Sequence, residues 1–172
     1  QLLKNSAVGI IPCDTVYGIV ACLESKVGVE KIYDVKGRPL SQPVGTIIIA
    51  DASYIESYVE PSDILAAQTY WPGPTSVIIE TSDELAHAHR GVGSLPFRIP
   101  DEESIRTFLA RSGPLATTSA NFWNQPPATN LEEALKTFRG AVDFYVDGGD
   151  LSHRKPSGII KIHQDGSIET IR

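Results

Sequence analysis

The sequence predicts a layered α/β domain built on a mixed β-sheet, and three observations carry that prediction. Short runs rich in Val, Ile and Thr alternate with stretches of helical apolar spacing along the whole chain. The last two runs flank Gln164-Asp165-Gly166, a turn signal that reads as a closing hairpin and makes the sheet mixed rather than purely parallel. The composition, 41% hydrophobic and 21% charged over 172 residues, is that of a globular chain. A chain of this length suits one domain, residues 1–172.

The elements follow in order. Residues 7–12 read as a buried strand ending at Pro12, and 16–20 continue as apolar chain after the polar turn Cys13-Asp14-Thr15. Ser25 is placed to cap a helix through Val35, with Val29, Ile32 and Val35 on one face. Residues 36–43, with Gly37, Pro39 and Pro43, read as a cationic loop. Residues 44–50 form a β-branched strand. Helices are expected over 52–59 and 61–70, the second with Pro61 near its first position and Asp63 in its first turn. Trp71-Pro72-Gly73-Pro74 breaks the chain before a strand at 75–80. Further strands are expected near 95–99, 115–118, 144–146, 159–162 and 168–172, and helices over 102–111 and 131–138.

Composition excludes several classes of function. Two cysteines, Cys13 and Cys22, without a C-x-x-C pair, argue against a disulfide framework, a zinc finger or an iron–sulfur cluster. A net charge of −6 weighs against a dedicated nucleic-acid binder but permits a local basic pocket. No apolar run approaches the roughly 18 residues of a membrane span, and the first residues do not resemble a signal peptide. The expectation is a cytoplasmic protein with no membrane partner. The chain starts at Gln1 rather than Met, so further N-terminal residues are expected in the full protein. His87 and His89 would share one strand face but lack a third well-spaced ligand, and they read as surface histidines rather than a metal site. Neither G-x-G-x-x-G nor G-x-x-x-x-G-K-[ST] occurs, so a nucleotide would have to be held in another way.

Three segments at strand ends concentrate polar chemistry: residues 12–18, residues 36–39, and Thr117-Thr118-Ser119-Ala120-Asn121. Together they offer hydroxyls, an amide, an ammonium and a guanidinium, a set suited to phosphates and an amino-acid carboxylate. No nucleophile–base dyad is evident among them. Taken singly, these residues have plainer readings. Thr15 and Tyr17 can fill core, Lys36 and Arg38 can be solvated loop charges, and Ser119 and Asn121 can cap a helix or build a turn. Arg98 is harder to dismiss, because an Arg flanked by Phe97, Ile99 and Pro100 needs a partner.

The motifs resemble those of a known family. Pro12-x-Asp14-Thr15-Val16-Tyr17-Gly18 is similar to the P-T-[DE]-T-V-Y-G signature of YrdC/TsaC proteins, and Lys36-x-Arg38-Pro39 to their K-x-R-P. Trp71-Pro72-Gly73-Pro74-Thr75 resembles W-P-G-P-[TV], and Ser94-x-x-x-Arg98-Ile99-Pro100 resembles T-x-x-x-R-x-P. Thr118-Ser119-Ala120-Asn121 matches the S-T-S-A-N loop, and Asp147-Gly148-Gly149 followed by Ser157 resembles D-G-G…S-T-[IV]. Each piece is weak alone; in this order from residue 12 to 157 they span nearly the whole chain.

The resemblance implies a YrdC-like twisted, mixed sheet flanked by helices, with a concave substrate groove. It also implies threonylcarbamoyl-AMP synthesis from L-threonine, bicarbonate and ATP with Mg²⁺, for tRNA threonylcarbamoyladenosine modification. Thr15, Arg98, Thr117 and Ser157 would line the threonine site. Lys36, Arg38, Ser94, Ser119, Asn121 and Arg172 would face ATP, with Lys36 and Arg38 the residues closest to catalysis and no metal-ligating side chain assigned. The product would pass to a tRNA threonylcarbamoyl-transfer complex, with tRNA binding weak or indirect. The end of the chain at Arg172 fits the short, single-domain branch.

Some positions depart from the family pattern. Cys13 stands where Thr is usual, Gly158 where a second hydroxyl is usual, and Phe122-Trp123-Asn124 where L-S-G is common. Two other functions compete with synthesis. A non-catalytic RNA-binding module of the same fold is disfavoured by the acidic charge. A carbamoyl-adenylating domain of a hydrogenase-maturation protein would come fused to acylphosphatase-like and zinc-binding segments, which this sequence lacks.

Overall fold

The computed structural model describes residues 1–172. Nine strands form one sheet: β1 (Gly9–Pro12), β2 (Tyr17–Cys22), β3 (Thr46–Ile48), β4 (Thr75–Glu80), β5 (Ser94–Arg98), β6 (Leu115–Ser119), β7 (Phe144–Tyr145), β8 (Gly158–Ile162) and β9 (Ile168–Thr170). Their order is β7-β1-β2-β6-β3-β5-β4-β8-β9. The β1–β7, β3–β5 and β4–β8 pairs are parallel and the others antiparallel, so the sheet is mixed. The closing hairpin forms as expected, with Ile162 opposite Ile168. Five α-helices accompany the sheet: α1 (Lys26–Lys36), α2 (Pro61–Ala67), α3 (Ala86–His89), α4 (Glu103–Ser112) and α5 (Leu131–Phe138).

Strand alternation sorts the side chains. One sheet face carries Ile47, Val77, Ile79, Leu95, Phe97 and Ala116 into the larger core, together with Val29, Ile32 and Tyr33 of α1. The other face is divided. At one end Val20, Ile48 and Leu115 pack with Ile105 and Leu109, one turn apart on α4. Two residues further along the same faces stand Gly18, Thr46 and Thr117, and no helix covers them. The apolar half of this face is roofed and the polar half is open. Fully burying a Leu, Ile or Phe is worth about 1.5–3 kcal/mol, so the roofed half anchors the strands that the open half displays.

Several sequence expectations need correction. Lys36 is the last residue of α1 rather than a loop residue. Val29, Ile32, Tyr33 and Lys36 are spaced on one helical face, and that face is the buried one. Gly37 closes the helix at φ 65°, donating its N–H to the Asp34 and Tyr33 carbonyls. Strand β6 runs one residue beyond its expected end, to Ser119, and Ala120 and Asn121 begin the segment after it. The helix expected over 52–59 is a single 3₁₀ stretch, Ala52–Ile55, because the Asp51 carboxylate takes the Ser53 N–H in a tight local turn. The helix from Pro61 ends at Ala67 and tightens into 3₁₀ over Gln68–Tyr70.

The histidine segment is also different. His87 and His89 lie on α3, not on a strand. His89 is buried, and its Nδ1 accepts from the Gly91 and Gly93 amides at 3.1 and 3.2 Å. His87 Nε2 lies 2.7 Å from the Leu23 carbonyl. His89 braces the turn between α3 and β5, and His87 ties α3 to the segment after β2.

Candidate functional site

The open half of the sheet face is the floor of a cleft of about 580 Å³. All ten residues singled out from the sequence line it: Thr15, Lys36, Arg38, Ser94, Arg98, Thr117, Ser119, Asn121, Ser157 and Arg172. They arrive from separate elements. Ser94 and Arg98 share a face of β5, and Thr117 and Ser119 share a face of β6. Thr15 comes from the β1–β2 turn, Lys36 from the end of α1, Ser157 from the residue before β8, and Arg172 from the end of the hairpin. The lining contains four cations, Lys36, Arg38, Arg98 and Arg172, and no Asp or Glu. A chain with 21 acidic and 15 basic residues has concentrated positive charge in this cleft.

Lys36 is 2% exposed and donates to the Ser119 carbonyl at 2.6 Å, Ser119 Oγ at 3.1 Å and Asn121 Oδ1 at 2.5 Å. All three acceptors are neutral, so the ammonium is solvated by the chain without losing its charge to a carboxylate. Burial, reinforced by the neighbouring Arg38 charge, pulls its pKa from 10.5 to about 7. Asn121 is itself fixed, donating from Nδ2 to the Phe122 carbonyl at 2.9 Å and to the Gln125 carbonyl.

Arg98 finds the partner its apolar surroundings demand in Asp14. The Asp14 carboxylate also accepts the Asp101 amide at 3.1 Å, and the Asp14 carbonyl accepts from Arg154 at 2.8 Å. One edge of the Arg98 guanidinium is therefore locked. Its Nε is buried without a hydrogen-bond partner. Arg172 donates from Nε and NH2 to the Ser157 carbonyl at 3.1 and 2.9 Å. A ladder of hydroxyls runs beneath it, from Ser157 to Ser76 at 3.2 Å and on to Thr46 at 3.3 Å.

Sequence reasoning passed over Asp14, Thr46, Ser76 and Trp123. Asp14 had a signal, since it is the only carboxylate in the first motif and Arg98 needed one. Ser76 and Thr46 are ordinary strand residues whose meeting depends on sheet order.

The departures from the family pattern also take physical form. Cys13 is buried, and burial pushes its thiol up to about 11, so it stays neutral. A β-carbon at Gly158 would meet only the Arg172 carbonyl at 3.8 Å and the Pro74 carbonyl at 4.0 Å, both ordinary contacts.

The Sua5/YciO/YrdC family model, described as "Telomere recombination", matches residues 1–172. The chain belongs to the Sua5/YciO/YrdC family. A relative from Methanocaldococcus jannaschii, provisionally named threonylcarbamoyl-AMP synthase, is 34% identical over 96% of this chain and 79% of its own length. The threonylcarbamoyl-AMP synthase of Bacillus subtilis is 31% identical over 92% of this chain and 45% of its own. The crystal structure of Pyrococcus abyssi Sua5 complexed with L-threonine superposes with a TM-score of 0.86, at 24% identity, over 99% of this chain and 51% of that one. The chain thus spans about half the length of the Bacillus and Pyrococcus proteins. Residues of the first, second, fourth and fifth motifs line this chain's cleft together with Ser157, whereas Trp71-Pro72-Gly73-Pro74 and Asp147-Gly148-Gly149 do not.

Proposed function

We propose that this protein is a threonylcarbamoyl-AMP synthase, a nucleotidyltransferase that joins L-threonine, bicarbonate and ATP and releases pyrophosphate. The observation that carries this reading is the cleft lining, with four cations, a ring of hydroxyls and no carboxylate. Such a lining suits polyanionic and carboxylate substrates. The names of the relatives from Methanocaldococcus and Bacillus agree with it, as does the L-threonine held by Pyrococcus Sua5.

The chemistry follows from the charge. The threonine amine attacks bicarbonate, loses water and becomes N-carboxy-threonine. That carboxylate attacks the α-phosphorus of ATP, forming the acyl–phosphate bond as pyrophosphate departs. The reaction needs positioning and neutralisation of charge more than a side-chain nucleophile. Arg98 would hold the threonine carboxylate, with Thr15, Thr117 and Ser157 around the side chain and amine. Lys36, Arg38 and Arg172 would hold the triphosphate, with Ser94, Ser119 and Asn121 completing that end.

Magnesium fits this cleft only as a companion of the nucleotide. No three His, Cys, Asp or Glu side chains converge, and the Asp14 carboxylate is committed to Arg98 and the Asp101 amide. Phosphate oxygens and water would be its ligands, and none of the roles above passes through it.

An RNA-binding module would spread its cations over an extended face. Here they are enclosed in a concavity of small-molecule size, which favours the enzyme. No helix is long and apolar enough to cross a membrane. We read residues 1–172 as one YrdC-like domain acting in the cytoplasm, its product passing to a tRNA threonylcarbamoyl-transfer complex. The reading is tested by pyrophosphate release with ATP and Mg²⁺. Release that requires both threonine and bicarbonate supports it, and release indifferent to threonine contradicts it.

A further inference from the structure

The four cations of the cleft are held in different ways. Lys36 has three neutral acceptors, Arg98 has a carboxylate, and Arg172 has the Ser157 carbonyl. Arg38 has one hydrogen bond within the chain, from Nε to the Pro43 carbonyl at 2.7 Å. Its remaining support is an aromatic face: the guanidinium carbon stands 4.9 Å from the centre of the Trp123 ring.

We propose that Trp123 is a positioning residue for nucleotide binding, fixing the plane of the Arg38 guanidinium and thereby the geometry with which the cleft grips the triphosphate. This inference rests on the reading of the cleft as an ATP site.

The physical case begins with like charge. Arg38 stands close enough to Lys36 to depress that ammonium's pKa, so with no anion present the two cations repel. An unsupported Arg side chain, rich in rotamers, would relieve this by swinging into water. A carboxylate partner would prevent the swing but would compete with phosphate for the same N–H groups. An indole face does neither. It attracts the guanidinium from above its plane and leaves the in-plane N–H donors free. The other cation–aromatic pair in the protein shows the contrast. Arg90 stacks on Tyr33 at 4.4 Å and is also paired with Glu30 at 2.8 Å, a quenched charge outside the cleft.

Trp123 is also anchored as a positioning residue must be. Its amide donates to the Lys36 carbonyl at 2.9 Å, at the end of α1, so one residue touches the chain at both Lys36 and Arg38. The loop that carries it is tied by Asn121, which receives the Lys36 ammonium on Oδ1 and holds the Phe122 and Gln125 carbonyls through Nδ2. The Gln125 amide closes the turn on the Phe122 carbonyl at 3.0 Å. The indole thus belongs to the same hydrogen-bonded unit as the cations it orders.

The test is an ATP-binding titration by calorimetry on wild type, Trp123→Phe, Trp123→Leu, Arg38→Ala and the Trp123→Leu/Arg38→Ala pair, with threonine affinity measured alongside. The expected result is an ATP affinity about fivefold weaker for Trp123→Leu, near wild type for Trp123→Phe, and no further loss when Leu is added to Arg38→Ala. Threonine affinity should stay within about twofold in Trp123→Leu, which separates positioning from collapse of the cleft. Three outcomes overturn the inference while leaving the ATP site standing. They are unchanged ATP affinity in Trp123→Leu, an equal loss with and without Arg38, and a parallel loss of threonine affinity. A wild-type protein that binds no ATP would overturn the ATP reading and this inference together.

Discussion

Arg98 and Asp14 form an ion pair in which both side chains are nearly sealed from water, 3% and 7% exposed, at the border between the roofed and open halves of one sheet face. The pair holds one edge of the guanidinium and leaves Nε unpartnered beside the cleft. Its arrangement separates fold from binding. Asp14 satisfies the charge of a guanidinium that also lines the cleft.

Removing Asp14 should therefore cost stability. Asp14→Ala leaves a buried guanidinium without its counter-charge, and the expected loss is about 3 kcal/mol. Chemical denaturation of the variant against wild type measures it. A loss below about 0.5 kcal/mol would show that the pair is not a structural element.

Arg98→Lys should do the reverse. The ammonium still faces Asp14, but the planar fork that would take a carboxylate is gone. Threonine affinity should fall at least about tenfold while ATP affinity holds. Unchanged threonine affinity in a calorimetric titration would remove Arg98 from the threonine site.

Lys36 gives a prediction in pH. With its pKa pulled down to about 7, the side chain is largely the neutral amine at pH 8. A bound triphosphate favours the charged form and raises the pKa, so ATP binding at pH 8 should take up protons and weaken as pH rises from 7 to 9. Calorimetry in buffers of different ionisation enthalpy measures the uptake, which should vanish in Lys36→Met. The folding linkage has its own sign. The folded pKa lies below that of the unfolded chain, so the unfolded state binds more protons across the interval between them. Wild type should gain stability relative to Lys36→Met from about pH 7 to about pH 10. Absence of both effects would mean that Lys36 titrates normally.

Gly45 tests how closely the strands of the open face approach one another. A β-carbon there would lie 2.2 Å from the Thr117 carbonyl oxygen, and the backbone stands at φ +142°. Gly45→Ala should destabilise the fold by about 3 kcal/mol and displace Thr117, weakening threonine binding with it. A stable variant with wild-type threonine affinity would contradict this placement of Thr117.

Much of this molecule was legible in its sequence, for identifiable reasons. The strands announced themselves through β-branched runs, and α1 through its Ser25 cap, whose Oγ accepts the Gly28 amide. The caps of α5 went unread. Asn130 accepts the Glu133 amide at 2.9 Å while Glu133 accepts the Thr129 amide at 2.7 Å. The site residues were visible as polar groups in apolar or glycine-rich surroundings. Lys36 was misplaced because a charge beside Gly37 and Pro39 looks like a loop, although its spacing from Val29, Ile32 and Tyr33 puts it on the buried face. The Ser157–Ser76–Thr46 hydroxyl ladder and the stack of Arg38 on Trp123 had no local signal. Both join residues far apart in the chain, brought together by the order of the strands and the fold of the loop after β6.

The most direct measurement is mass spectrometry of the purified protein's reaction with ATP, Mg²⁺, bicarbonate and L-threonine. The expected product is threonylcarbamoyl-AMP, absent when threonine or bicarbonate is withheld and strongly reduced in Arg98→Lys. Folded protein that binds ATP and threonine but yields no such product would contradict it.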